Sequence, residues 1–164
     1  MSCCTSSEKD SELSPCPQCQ ILGQPIDRVT PRHTLKKEFR DTIDDDNHYH
    51  FCETPDCNTV YFSNDGLQYF TTEQLINRVT SKDSSPETHL CYCYKITKGD
   101  ALKEYQESGE STVIQQIEQK MTEKQCFCDK SNPRGICCTS EIKTWLREQG
   151  IEQLNNNSKD SSCC

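Results

Sequence analysis

The sequence predicts an α+β protein of two small modules, the first rich in strands and the second mainly helical. Three observations predict it. Fourteen of 164 residues are cysteine and only 32% are hydrophobic, with a mean hydropathy of −0.87; such a chain cannot fill one large apolar core and must be stapled by disulfides or metals. Aromatic and β-branched runs lie at 48–62, whereas capped apolar stripes begin at Thr97. Between them "TSKDSSPETH", residues 80–89, contains no apolar residue and reads as a linker.

The chain is accordingly divided into a polar tail at 1–14, a first module at 15–79, the linker at 80–89, a second module at 90–150 and a second polar tail at 151–164. Both tails have the composition of disordered segments. The opening "MSCCTSSEKDSELSP" shows neither a basic n-region nor an apolar h-region, and no run of about eighteen apolar residues exists. The expectation is a cytoplasmic protein without a membrane span. In a reducing compartment, clustered thiols are better read as metal ligands than as disulfides. The net charge of −8 argues against nucleic acid, which needs clustered cations. The one basic patch, "HTLKK" at 33–37, reads as a solvated helix face.

Within the first module, Leu35 and Phe39 at i and i+4 predict a short helix. "HYHFC" and "TVYF" (59–62) predict two strands joined by a tight turn at "ETPD", and "SNDG" at 63–66 predicts another turn. "TTEQLINRV" predicts a helix capped by Thr71 or Thr72. In the second module Thr97 and Asp100 have capping-box spacing, opening a helix that Gly109 ends. Ser111 is the expected cap of a second helix with Val113, Ile114, Ile117 and Met121 along one stripe. Ser140 is the expected cap of a third, closed by Gly150.

The cysteines fall into pairs. Cys16 and Cys19 form C-x2-C, and Cys52 and Cys57 form C-x4-C, each at a proline-stiffened turn. Tetrahedral Zn2+ takes four soft ligands, and such spacings let one turn present two thiolates, so these four are the candidate ligands of a closed, structural site. His48 and His50 flank Cys52; His50 shares a strand face with it and is the better substitute ligand. A redox reading of "CPQC" would need a βαβ context and a helix at Cys16, and "CPQCQILGQP" is a poor helix.

Cys91 and Cys93 lie two apart, so in an extended chain both sulfurs point to one side. "CFCDKSNPRGICC" then offers Cys126, Cys128, Cys137 and Cys138. Adjacent side chains diverge, so at most one of Cys137 and Cys138 is a ligand. Cys126 and Cys128 could repeat the Cys91/Cys93 geometry; alternatively "NPRG", with Pro133 and Gly135, folds the segment back and brings Cys128 and Cys138 together. The terminal pairs Cys3/Cys4 and Cys163/Cys164 are candidate Cu(I) ligands, since adjacent soft thiolates suit that ion.

A C-x-C followed after a helix-turn-helix stretch by further cysteines resembles the [2Fe-2S] domain of the bacterioferritin-associated ferredoxin type. Taken together, "CPQC", "FCETPDCNTVYF", "CYCY" and "CFCDKSNPRGICC" in this order resemble the zinc and [2Fe-2S] domain at the N-terminus of CopZ-type copper chaperones, over roughly 15–150. The resemblance implies one mononuclear zinc and one [2Fe-2S] cluster, two thiolates per iron, and favours Cys128 and Cys138 beside Cys91 and Cys93, with Cys126 and Cys137 as alternates. It also implies one-electron transfer coupled to copper handling, and a redox or metal-trafficking protein as partner. The M-x-C-x-x-C motif of that family's copper-binding domain is not among these residues, since neither Met1 nor Met121 begins one. No Ser/His/Asp set or phosphate-binding glycine loop is present, so no classical enzyme is expected. The rival readings are a thiol-disulfide oxidoreductase and an interaction adaptor whose metals only staple the fold.

Overall fold

The computed structural model describes residues 13–123 and 126–151. The first module is built on an antiparallel sheet of β1 (Gln24–Ile26), β2 (Tyr49–Phe51), β3 (Thr59–Ser63) and β4 (Tyr69–Thr71), in that order. The aromatic and β-branched runs thus form the two central strands, as the sequence predicts. β2 and β3 are buried along their whole lengths. Tyr49, Phe51, Val60 and Tyr61 pack with Leu35, Phe70, Leu75 and Val79, while Phe62 packs with Cys16, Cys52 and Cys57. Full burial of one such large side chain stabilises by about 1.5–3 kcal/mol, and the core holds few of them.

Two helix expectations fail here for one reason. The stretch around Leu35 and Phe39 is not one helix but two short ones, α1 (Val29–Thr34) and α2 (Lys37–Arg40). "TTEQLINRV" forms only a single 3-10 turn, Thr72–Gln74, with Thr71 as its cap. Leu35 and Leu75 pair with each other as extended residues, both buried. That contact stops each helix where the local pattern would continue it. The "HTLKK" patch is interrupted at the same point.

The second module opens with the hairpin of β5 (His89–Cys91) and β6 (Ile96–Thr97). α3 (Lys98–Ser108) follows, with the expected Thr97/Asp100 capping box and Gly109 at its end. α4 (Val113–Glu123), a single turn α5 (Cys128–Ser131) and α6 (Thr139–Glu148) complete it. Val113 and Ile117 are buried and Ile114 and Met121 pack beside them, the stripe the sequence predicts. Ser111 is not the cap of α4: Gln116 N–H donates to Thr112 O at 2.9 Å, because the Glu104 carboxylate holds the Thr112 N–H (3.1 Å) and hydroxyl at the helix start. α6 begins at Thr139 with Cys138 at its boundary, so Ser140 lies inside the first turn and caps nothing. Of the two tails, the described residues touch only the inner ends. Ser14 O accepts from Gly23 N–H and Ile151 is buried in the second core, so these two inner ends are held by the folded chain. Among the described residues no helix is long and apolar enough to cross a membrane.

The segment 80–89 holds no regular element before His89, yet it is tied on both sides. Lys98 Nζ donates to Thr80 O (2.8 Å) and Asp83 O (2.6 Å), and the Thr80 hydroxyl donates to His89 O (2.6 Å). A second seam runs through the turn that "NPRG" forms. The Tyr61 hydroxyl donates to Pro133 O (2.6 Å), Thr30 Oγ1 donates to Asp129 O (2.7 Å), and Arg134 pairs with Glu53. Gly135 is required there: its φ is +71°, and a Cβ would lie 2.7 Å from Thr30 Oγ1.

Tyr61→Phe removes the donor to the buried Pro133 carbonyl and leaves the Thr34 hydroxyl, 2.8 Å away, with one partner fewer. The expected loss is about 1–3 kcal/mol of unfolding free energy by denaturant titration. An unchanged midpoint and slope would show that this seam does not couple the modules.

Candidate metal centres

Two reverse turns build the first centre. Cys16 N–H donates to Ile21 O and Gln20 N–H to Cys16 O, both at 2.9 Å, which curls "CPQC" into a knuckle with Gln20 in the left-handed region (φ 65°). Gly23 follows this knuckle, and a Cβ there would stand 2.6 Å from the Phe62 ring. Cys52 and Cys57 close the β2–β3 hairpin: Cys52 N–H donates to Val60 O (2.8 Å), and Cys57 N–H to Thr54 O (3.2 Å) across the expected "ETPD" turn.

Cys16 Sγ and Cys57 Sγ are 3.9 Å apart, Cys19 Sγ and Cys52 Sγ 3.7 Å, and all four sulfurs lie within 4.8 Å of one another. Zn–S bonds of about 2.3 Å at tetrahedral angles place sulfurs about 3.8 Å apart. The set contains neither His48 nor His50. His48 is exposed, and His50 is buried with its ring stacked on Phe62 at 5.4 Å. Cys16 is fully buried and starts no helix, and the sheet is antiparallel throughout, so the context a thioredoxin-like pair needs is absent from the described residues.

Electrostatics around the four thiols is uneven. Burial pushes Cys52 up to about 12 and raises Cys57. Cys19 goes the other way, to about 6: burial opposes its thiolate, but hydrogen bonds from the Thr54 hydroxyl, the Ile21 backbone and Cys52 outweigh it. The Lys82 ammonium donates to Thr54 O (2.6 Å) and Cys57 O (3.0 Å), so it pins the Cys52–Cys57 loop and brings a positive charge to the sulfurs. Neither Lys82 nor Thr54 is signalled by the sequence as a site residue.

The second set gathers in the other core. Cys91 ends β5, and Cys93 lies in the β5–β6 turn rather than in an extended strand, because Tyr92 between them is anchored on Arg78 O (2.5 Å) and Thr80 N (3.1 Å) and Lys95 turns the chain with φ 57°. The extended C-x-C geometry is therefore corrected. Asn132 O accepts from Gly135 N–H (2.8 Å), and this turn folds 128–138 back on itself as the sequence suggests. Cys93 Sγ lies 3.5 Å from Cys128 Sγ, while Cys138 is in hydrogen-bonding contact with both Cys91 and Cys128. Cys91, Cys128 and Cys138 are each about 1% exposed.

As thiols these four share protons unequally. Hydrogen bonds from Cys138 and Cys93 lower Cys128 to about 3, and the contact with Cys138 lowers Cys91. Their contacts with Cys128 raise Cys93 and Cys138. Cys126 contacts Cys128 from a half-buried position, and Cys137 Sγ lies 3.3 Å from Thr139 Oγ1. None of the ten described cysteines is in a disulfide. Cys3, Cys4, Cys163 and Cys164 lie outside the described residues.

Comparison with known proteins agrees with the first centre. Residues 13–76 match the family model of a zinc-binding domain of CopZ type. Over 123 residues the chain is 27% identical to the copper chaperone CopZ of Archaeoglobus fulgidus, covering 75% of this chain and 57% of that protein. The chain therefore spans little more than half the length of this curated relative. The crystal structure of the CopZ N-terminal domain from the same organism superposes with a TM-score of 0.65 at 25% identity, covering 84% of this chain and 98% of that one. Residues 13–76 are thus similar to a CopZ-type zinc-binding domain, and the fold is mixed α/β and resembles that of the CopZ N-terminal domain.

Lys82→Met keeps the apolar stem but removes the ammonium that pins the Cys52–Cys57 loop. Loss of such an outer-sphere support weakens metal binding by roughly 10- to 100-fold. The expected result is faster zinc transfer to a chromogenic chelator from Lys82→Met than from Lys36→Met, an exposed control; equal rates would remove Lys82 from the site.

Proposed function

We propose that this is a metal-trafficking protein of copper-chaperone type, in which Cys16, Cys19, Cys52 and Cys57 hold a structural Zn2+ and Cys91, Cys93, Cys128 and Cys138 hold a [2Fe-2S] cluster. The observation that carries the proposal is the convergence of a second set of four thiols, three of them buried, apart from the first, with backbone N–H groups of Tyr94, Phe127 and Cys138 turned toward its sulfurs. Such donors compensate the negative charge of thiolate-bound iron, so the residues present fit the group. A cluster bound there supplies one-electron transfer.

The chain's own residues divide the work. The core of Leu90, Val113, Ile117, Ile142 and Leu146 excludes water from three of the four sulfurs, leaving Cys93 as the half-exposed one. Electron exchange with a partner is therefore assigned to the face that carries Cys93 and the exposed Phe127. Copper as the handled ion follows from the name of the relative, and the soft pairs Cys3/Cys4 and Cys163/Cys164 would be its ligands on this chain. A cytoplasmic setting keeps all of these thiols reduced.

The expected composition after anaerobic reconstitution is one zinc, two irons and two labile sulfides per chain. Serine substitution tests the ligand set: Cys128→Ser and Cys138→Ser lose the visible absorption and the EPR signal of the reduced state, whereas the double variant Cys126→Ser/Cys137→Ser keeps both. A cluster that survives in the first two variants and vanishes in the double variant would refute the assignment.

A further inference from the structure

Ser131, the last residue of α5, has its Oγ 3.1 Å from Cys93 Sγ and 3.0 Å from Phe127 O. A hydroxyl has one proton and two acceptors on offer. While Cys93 is a thiol, its S–H can donate to Ser131 Oγ and the hydroxyl proton can go back to the Phe127 carbonyl, one turn earlier in the chain. Once Cys93 is a metal thiolate it has no proton to give, and its sulfur becomes the more negative of the two acceptors. The hydroxyl then turns to the sulfur, since hydrogen bonds to charged acceptors are the stronger ones.

Among the described residues, Ser131 supplies the one side-chain hydroxyl placed on any of Cys91, Cys93, Cys128 and Cys138; the other donors to these sulfurs are backbone groups or thiols. Cys93 is also the least buried of the four, so water could otherwise take this place. We infer that Ser131 is a positioning residue that sets the reduction potential of the centre by donating to Cys93 Sγ. Adding an electron raises the charge on sulfur, so a donor stabilises the reduced form more than the oxidised form. Removing the hydroxyl must therefore move the potential in the negative direction.

The inference rests on the iron–sulfur reading above, and its test separates the two. Reconstituted wild type, Ser131→Ala, Ser131→Thr and Ser131→Val are compared by iron and sulfide content, by redox titration followed by EPR, and by resonance Raman in H2O and D2O. The Thr and Val variants differ only in hydroxyl against methyl. Expected are equal iron and sulfide in all four, a more negative midpoint in Ala and Val, a midpoint near wild type in Thr, and a smaller D2O shift of the Fe–S bands wherever the hydroxyl is missing. If wild type takes up no iron and sulfide, the cluster reading falls and this inference with it. If wild type loads and the Thr and Val variants titrate at one potential, Ser131 has no such role and the cluster reading stands.

Discussion

Sulfur buried in a chain with few apolar side chains is the constraint on which this structure depends. A thiolate held out of water is costly unless a positive charge or hydrogen-bond donors face it. The raised values of Cys52 and Cys57 express that cost directly. A divalent ion removes it by replacing the protons, which makes the binding energy of the metal part of the folding energy. Phe62 of β3 packs on the sulfur knuckles, while Tyr49, Phe51 and Tyr61 form the remaining core of this module.

The two sulfur sets are not independent of each other. Tyr61 lies on β3, the strand that Cys57 leads into, and its hydroxyl ends on Pro133 in the turn that joins Cys128 to Cys138. Thr30 and the Arg134–Glu53 pair brace the same turn from the first module. A distortion of the β2–β3 hairpin is therefore felt where the second set is assembled. A zinc ion at the first centre would therefore also steady the support against which the 128–138 loop is folded.

Much of this organisation was legible in the residue pattern, for physical reasons. Cysteine spacing at proline turns reports local geometry, and the knuckles at Cys16–Cys19 and Cys52–Cys57 need little else to form. The Thr97/Asp100 box and the Val113–Met121 stripe are likewise local. What the pattern missed is tertiary. The pairing of Leu35 with Leu75 stops two helices that local spacing would extend, Glu104 moves the start of α4 from Ser111 to Thr112, and the anchoring of Tyr92 bends the C-x-C segment into a turn. Lys82 donates to two carbonyls of the Cys52–Cys57 loop, and Ser131 Oγ lies beside Cys93 Sγ, contacts that span 25 or more residues; no short-range pattern marks such residues.

The central claim is that two thiol sets bind two different metals. X-ray absorption at the zinc and iron edges of the reconstituted protein tests it most directly. The account predicts four sulfur neighbours about 2.3 Å from zinc, with no nitrogen shell, and an iron spectrum with only sulfur in the first shell and a second iron beyond it. A histidine nitrogen on zinc, or zinc filling both sets with iron absent, would contradict it.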